Sequence, residues 1–236
     1  MPAQSGNEVR KPWTAVDFGA KARSYDAWYR TPTGRMYDAL EKRAVARALP
    51  THNRGAKLLD AGCGTGHWSA FFAAQGFAVT GVDVSREMVD VATEKRISGA
   101  SFQIADVHAL PFDDEAFDVS VAITTLEFVR DARTALGELA RCTRRAGGVV
   151  LVGVLNALAA INRERKSGGS STYAAARFYR PEEVHALLAP YGAPRVTVAG
   201  FVPRSKAVLP LAGLWDVLGR LSRSRRGAFI VGSVVR

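Results

Sequence analysis

The sequence predicts an α/β protein: a doubly wound, seven-stranded and mostly parallel sheet with an antiparallel strand near its C-terminal end, preceded by an N-terminal helical segment. Three observations predict it. Short β-branched or aromatic runs alternate with amphipathic stretches between residues 58 and 155. The first run empties into a glycine-rich turn, Gly62-Cys63-Gly64-Thr65-Gly66. Three successive runs carry an aspartate at or near their ends, and Asp60, Asp83 and Asp106 recur every 23 residues. Such alternation implies a parallel sheet covered by helices on both faces, because parallel strands need long crossovers.

Taken in order, residues 15–49 read as two or three helices rich in aromatic residues (Phe18, Tyr25, Trp28, Tyr29, Tyr37), broken around Thr31-Pro32-Thr33-Gly34. Strands are expected over 56–61, 77–84, 100–107, 117–124 and 148–155, each bounded by Gly, Asp or Pro. Between them lie helices over 66–75, 86–96 with Ser85 as N-cap, and 132–145. A mobile crossing is expected over 162–173, where Arg163, Arg165 and Lys166 precede Ser167-Gly168-Gly169-Ser170-Ser171. A helix starts at Pro181, with Glu182 and Glu183 favouring its N-terminal dipole, and stops before Pro190. Strands over 195–201 and 228–235 flank a helix over 207–222 and complete the sheet. The expected division is an N-terminal helical part, 1–55, and a sheet domain, 56–236.

Composition bounds the function. With 236 residues, 47% of them hydrophobic, the chain closes one full core. Two cysteines, Cys63 and Cys142, cannot form a disulfide framework, and no apolar run approaches the roughly 20 residues that span a bilayer. The polar first eleven residues lack the core of a secretory signal, so a cytoplasmic location is expected. The formal charge of +10 is unevenly spread: residues 58–155 carry 8 basic and 13 acidic side chains, whereas 203–236 carry 7 and 1. The positive excess therefore sits in the flanks, where it could meet RNA, an anionic substrate, a membrane surface or only solvent.

The turn after the first strand lies at the sheet edge where ligands of such folds bind. A dinucleotide fingerprint would put its third glycine at residue 67, which is His67, so the turn is a poor cradle for pyrophosphate. Asp83 can accept from both hydroxyls of a ribose. Asp106 can accept from an exocyclic amine while the Val107 N–H donates to a ring nitrogen. Each aspartate alone could be a helix cap, but three acidic groups around one nucleoside suit a ligand with positive charge and no phosphate.

On these residues, and on Leu110-Pro111-Phe112-Asp113-Asp114-Glu115-Ala116-Phe117-Asp118, the stretch 56–155 resembles the class I S-adenosylmethionine-dependent methyltransferases, with a Rossmann-like sheet, in particular the small-molecule branch that includes the ubiquinone and menaquinone biosynthesis enzymes. The resemblance implies S-adenosylmethionine as cofactor and methyl transfer to a small-molecule acceptor through S, O, N or C. It implies that Asp60 and the backbone of Gly62, Cys63 and Gly64 hold the methionyl part. Asp83 would hold the ribose, Val84 and Met88 the adenine face, Asp106 and Val107 the adenine edge, and Thr124 would lie beside the sulfonium. The N-terminal segment would form a lid, with Tyr25 as the residue reaching the cofactor, since aromatic faces attract a cation and exclude water.

Many relatives carry a histidine in the loop after the fourth strand, where this chain reads Leu126-Glu127-Phe128-Val129. The sequence assigns no catalytic residue: a base, if one is needed, comes from elsewhere in the chain or from the substrate, with Tyr25 and Glu127 as candidates, the latter with solvated or cap-forming readings beside that of a base. His52, His67, His108 and His185 show no metal spacing, so no metal is expected.

Rival readings remain open at this stage. An RNA methyltransferase would use the basic flanks, but no Asn/Asp-Pro-Pro-Tyr motif follows the fourth strand, which argues against a nucleic-acid partner. A lipid- or quinone-directed enzyme would use Leu211, Leu214, Trp215, Leu218 and Leu221, spaced as one helical face beside Arg220, Arg223, Arg225 and Arg226, for peripheral membrane contact. That face could equally cover the sheet. A cofactor-binding protein without turnover is the fourth reading. Sequence leaves the oligomeric state open.

Overall fold

A computed structural model describes residues 18–168, 171–202, 212–222 and 224–236. The sequence readings at residues 1–17, Gly169, Ser170, 203–211 (Leu211 among them) and Arg223 lie outside the described residues.

The seven expected strands form one sheet in the order β3-β2-β1-β4-β5-β7-β6. They are β1 (Lys57–Ala61), β2 (Ala78–Asp83), β3 (Ala100–Ile104), β4 (Val119–Ile123), β5 (Val149–Leu155), β6 (Arg195–Ala199) and β7 (Phe229–Val235). Strands β1 to β5 pair in parallel, and β7 runs antiparallel between β5 and β6. The strand order reverses between β1 and β4, which opens a crevice at their carboxyl ends. Strands β4 and β5 are buried along their whole length, as continuous Val/Ile/Leu runs should be.

Strand β3 stops earlier than the expected residue 107. It is an edge strand with little burial, and the chain leaves it to form a turn in which Asp106 bridges Ala109.

Helices cover both faces. On one, α6 (Ala132–Cys142) and α9 (Pro181–Leu188) bury Leu136, Leu139, Val184 and Leu188 against Val150 and Val152. On the other, α3 (Pro32–Ala48) and α4 (His67–Ala74) bury Ala44, Val45 and Phe72 against Leu58, Leu151 and Phe229. Burial of each such leucine or phenylalanine is worth about 1.5–3 kcal/mol. The α5 helix (Arg86–Glu94) begins where expected, the Ser85 hydroxyl accepting the Met88 N–H. The α9 helix begins at Pro181, where the Glu183 carboxylate accepts the Arg180 N–H.

Three local readings change. The break at Thr31-Pro32-Thr33-Gly34 narrows to Thr31, which caps α3 by accepting the Gly34 N–H; Pro32 already lies in the first turn. Before it, α1 (Ala22–Tyr25) and α2 (Ala27–Arg30) form a short helical cover. The expected mobile crossing is instead largely helical, as α7 (Ala160–Ser167) and α8 (Ser171–Ala174). The buried Asn162 amide ties α7 to the Asn156 and Ala228 carbonyls, a long-range bond that local composition does not announce.

The last helix, α10 (Ala212–Leu221), does not lay its apolar stripe on the sheet. Leu214, Trp215, Leu218 and Leu221 are about half exposed or more, while Asp216 turns inward to accept from the Gly200 and Phe201 N–H groups.

Candidate functional site

The floor of the site is the turn between β1 and α4. Gly62, Gly64 and Gly66 all have positive φ (78°, 52° and 76°). The Gly62 and Cys63 N–H groups both donate to the Val82 carbonyl, binding the turn to β2. A β-carbon on Gly62 would stand 2.3 Å from the Thr125 methyl, so this glycine lets the loop after β4 close on the turn. Thr125 completes that closure by donating to the Ala61 carbonyl at 3.0 Å. At Gly64 a β-carbon would meet nothing within 4 Å, which leaves that backbone open to a ligand.

Asp83 ends β2 with one carboxylate oxygen accepting the Gly64 N–H and the other the Ser85 N–H, both at 2.9 Å. Each oxygen keeps a second acceptor site for a hydroxyl. Burial raises its pKa against the pull of those backbone donors. Asp106 is half exposed, and one oxygen takes both the backbone N–H and the ring of His108. Desolvation works to raise its pKa, but the His108 bonds bring it below the ordinary value. Asp60 lies beneath the turn, buried and hydrogen-bonded by the Ser69 hydroxyl at 2.6 Å. Burial pushes its carboxyl up to about 7, and it does not line the cavity.

The cover crosses this floor. Thr65 donates to Asp26 at 2.7 Å, and Lys95 reaches both Asp26 and the Thr65 carbonyl. Tyr29 stacks on His67 at 3.7 Å, and His67 Nε2 lies 2.7 Å from the Asp38 carboxylate. These bonds hold Tyr25 and Phe18 over the switch point. Tyr25 is half-buried, and desolvation, followed by the nearby Tyr173, Asp83 and Glu127, pushes its phenol well above the ordinary value. It therefore stays a protonated wall and donor.

The resulting cavity is lined by Tyr25, Gly62, Cys63, Gly64, Asp83, Val84, Met88, Asp106, Val107 and Thr124. Asp60 and Glu127 are the two sequence candidates outside that lining. Its further lining residues include Phe18, Tyr29, His67, His108, Ile123 and Phe128. Tyr29 belongs to the aromatic run already noted and His108 follows Asp106 by two residues, so both had a signal. The lining fits a sulfonium nucleoside: an open glycine backbone, a carboxylate with spare acceptor sites and an aromatic wall, without a basic phosphate cradle.

A second cavity adjoins the first, sharing Phe18, Tyr25, Tyr29, Thr124 and Phe128 with it. Its outer part is formed by Lys21, Trp28, Glu41, Leu155, Arg165 and Tyr173. Thr124, between the two, is a β-branched residue held at φ 50°, a costly conformation that places it at the junction. Glu127 is neither solvated nor a cap. It is buried, with one oxygen accepting the Leu155 N–H at 2.6 Å and the other without a partner among the described residues. Burial pushes its carboxyl up to about 8. Glu41, from α3, is likewise buried and pushed up to about 8.

Comparison with known proteins agrees with this geometry. The family described as Methyltransferase domain matches residues 59–151. A malonyl-[acyl-carrier protein] O-methyltransferase of Serratia marcescens is 33% identical over 155 residues, which are 65% of this chain and 56% of the relative. The chain thus spans about half the length of that relative. An uncharacterized protein of Methanocaldococcus jannaschii is 30% identical over 177 residues, 74% of this chain and 80% of the relative. A solved S-adenosylmethionine-dependent methyltransferase of Thermotoga maritima, described as a possible histamine N-methyltransferase, superposes with a TM-score of 0.72. It is 25% identical and covers 92% of this chain and 97% of its own. Turn, aspartates, strand order and relatives converge: the chain belongs to the class I S-adenosylmethionine-dependent methyltransferases.

Proposed function

We propose that the protein transfers the methyl group of S-adenosylmethionine to a nucleophilic atom (S, O, N or C) of a small-molecule acceptor by in-line displacement. The carrying observation is the pair of adjoining cavities. One is lined by the glycine turn, Asp83 and Asp106, the other lies under the same aromatic cover, and Thr124 stands at their junction.

S-adenosylmethionine, when bound, supplies an already electrophilic methyl group. The chain's own task is then alignment and exclusion of water. Asp83 and the Gly64 backbone fix the nucleoside side, and Tyr25, Phe18 and Phe128 wall the junction. Alignment of this kind is worth roughly 7–11 kcal/mol. Glu127 lies behind the junction next to Phe128. With a carboxyl near 8 it carries its proton at neutral pH, which favours soft or already anionic nucleophiles over those needing a strong base. The test is release of S-adenosylhomocysteine in the presence of an acceptor library that includes thiols, amines, phenols and, after the Serratia relative, a malonyl thioester. Tight cofactor binding with no release from any acceptor class would replace this reading by a binding protein.

A second reading concerns where the enzyme meets its acceptor. The outward Leu214, Trp215, Leu218 and Leu221 of α10, in a C-terminal segment with 7 basic and 1 acidic side chains, support peripheral contact with an anionic membrane. Flotation with anionic but not zwitterionic vesicles, lost on Trp215→Ser with Leu218→Ser, is expected. Equal flotation of the double variant would remove the reading.

A further inference from the structure

The outer cavity carries a cation that forms no ion pair with any described residue. Arg165, on α7, has its guanidinium centred 5.7 Å from the Trp28 ring and 5.6 Å from each of the Tyr37 and Tyr173 rings. Three aromatic rings thus lie within cation–π range of a guanidinium that carries a fork of N–H donors. One protein hydrogen bond uses that fork, to the Asn162 side chain at 3.1 Å. Of its five N–H donors the others have no protein acceptor among the described residues. The group is half-buried and forms no ion pair there. The one acid lining the same cavity among the described residues is Glu41; it forms no ion pair with Arg165, and burial, against the pull of Arg165, pushes its carboxyl up to about 8. Lys21, bonded to the Thr172 hydroxyl at 2.7 Å, adds a second positive charge to the lining. A caged guanidinium with spare donors, beside a lysine and inside an aromatic wall, is built for an oxyanion on an apolar body.

Resting on the reading of this cavity as the acceptor site, we propose that Arg165 anchors a carboxylate or phosphate group of an aromatic or apolar acceptor, while a different atom of the same molecule receives the methyl group. Arg165 lines the outer cavity and not the cofactor cavity, whereas Thr124 lines both. An anion held on Arg165 is thereby set back from the junction, and the acceptor spans the distance. The two basic groups repel an ammonium group at the same place, so amine-headed analogues are rejected.

The experiment is calorimetry on the protein saturated with S-adenosylhomocysteine, titrated with phenylacetate, phenyl phosphate and phenethylamine as probes. Phenylacetate or phenyl phosphate is expected to bind, the two arms distinguishing the anion, and phenethylamine to fail. Arg165→Gln should weaken the bound anion by about tenfold or more, and Arg165→Lys by less, because the point charge stays and the fork is lost. S-adenosylhomocysteine affinity should not change in either variant, which also shows that they fold. Anion affinity unchanged in Arg165→Gln, preference for phenethylamine, or no binding of either anion to the loaded protein would overturn the anchor. Failure of S-adenosylhomocysteine itself to bind the unmodified protein would instead strike the methyltransferase reading on which the anchor rests.

Discussion

The floor and the cover of the cavity at the switch point are held by different kinds of force. The floor is backbone: Gly62, Cys63 and Gly64 are fixed by main-chain bonds to Val82 and to the Asp83 carboxylate, next to the buried strands β1 and β4. The cover is a pair of one-turn helices joined to the floor by side chains, with Asp26 bonded to Thr65 and Lys95, and Tyr29 stacked on His67. Main-chain anchoring inside a buried sheet opens only with the whole fold, whereas side-chain anchoring at the surface opens locally. The same chain therefore carries a rigid half of the site and a releasable half.

Four substitutions test that contrast. Asp83→Ala removes floor groups that no cover residue replaces, and cofactor affinity by calorimetry should fall by at least about a hundredfold. A fall of only a few-fold would mean that the cover carries the binding. Glu127→Gln tests whether the buried acid behind the junction is carried protonated. Its carboxyl rises from 4.5 to about 8 on folding, so the folded state holds the proton longer than the unfolded chain. Stability from this group is complete below about pH 4.5 and is lost as pH rises through 8. Denaturant unfolding of Glu127→Gln should show a flatter decline across that window, with the variant the more stable protein relative to the parent at its alkaline end. An unchanged slope would place the titration elsewhere, with Glu41 the next candidate.

Asp26→Ala should free the cover and spare the floor. About a tenfold loss of cofactor affinity is expected, with faster amide exchange confined to residues 18–30. Faster exchange in the glycine turn as well would show that the halves are coupled. The smallest effect is expected from Thr124→Gly, which relieves the left-handed backbone and stabilises the fold by about 1 kcal/mol. The same change removes a side chain shared by both cavities, so methyl transfer should slow while the protein becomes more stable.

The contrast also explains what sequence could reveal. The floor was legible because its determinants are local. A glycine turn, an aspartate at or just beyond the end of three successive strands and their fixed 23-residue spacing survive as patterns along the chain. Ten of the eleven residues assigned to the cofactor line one cavity, and Asp60 sits beneath them with its carboxylate on Ser69. The cover was legible only as aromatic helices, since Asp26, Thr65 and Lys95 are brought together by tertiary structure. The helix α7 escaped notice for a related reason. Its Arg-Glu-Arg-Lys run precedes a Ser/Gly tract that reads as loop, and the bonds from Asn162 to Asn156 and Ala228 that fix it span up to 66 residues. The exposed stripe of α10 reverses the usual bias of an amphipathic helix. Asp216, a single buried acceptor for two backbone donors, decides which side turns inward.

Asp26 gives one oxygen to Thr65 and the other to Lys95, so a single carboxylate latches the entrance to two partners at once. Such a latch lets go in one event, because rotating that side chain breaks both bonds together. Rotation of that side chain loosens the cover, while the Tyr29–His67 stack still holds it to the floor and Lys95 stays on the Thr65 carbonyl.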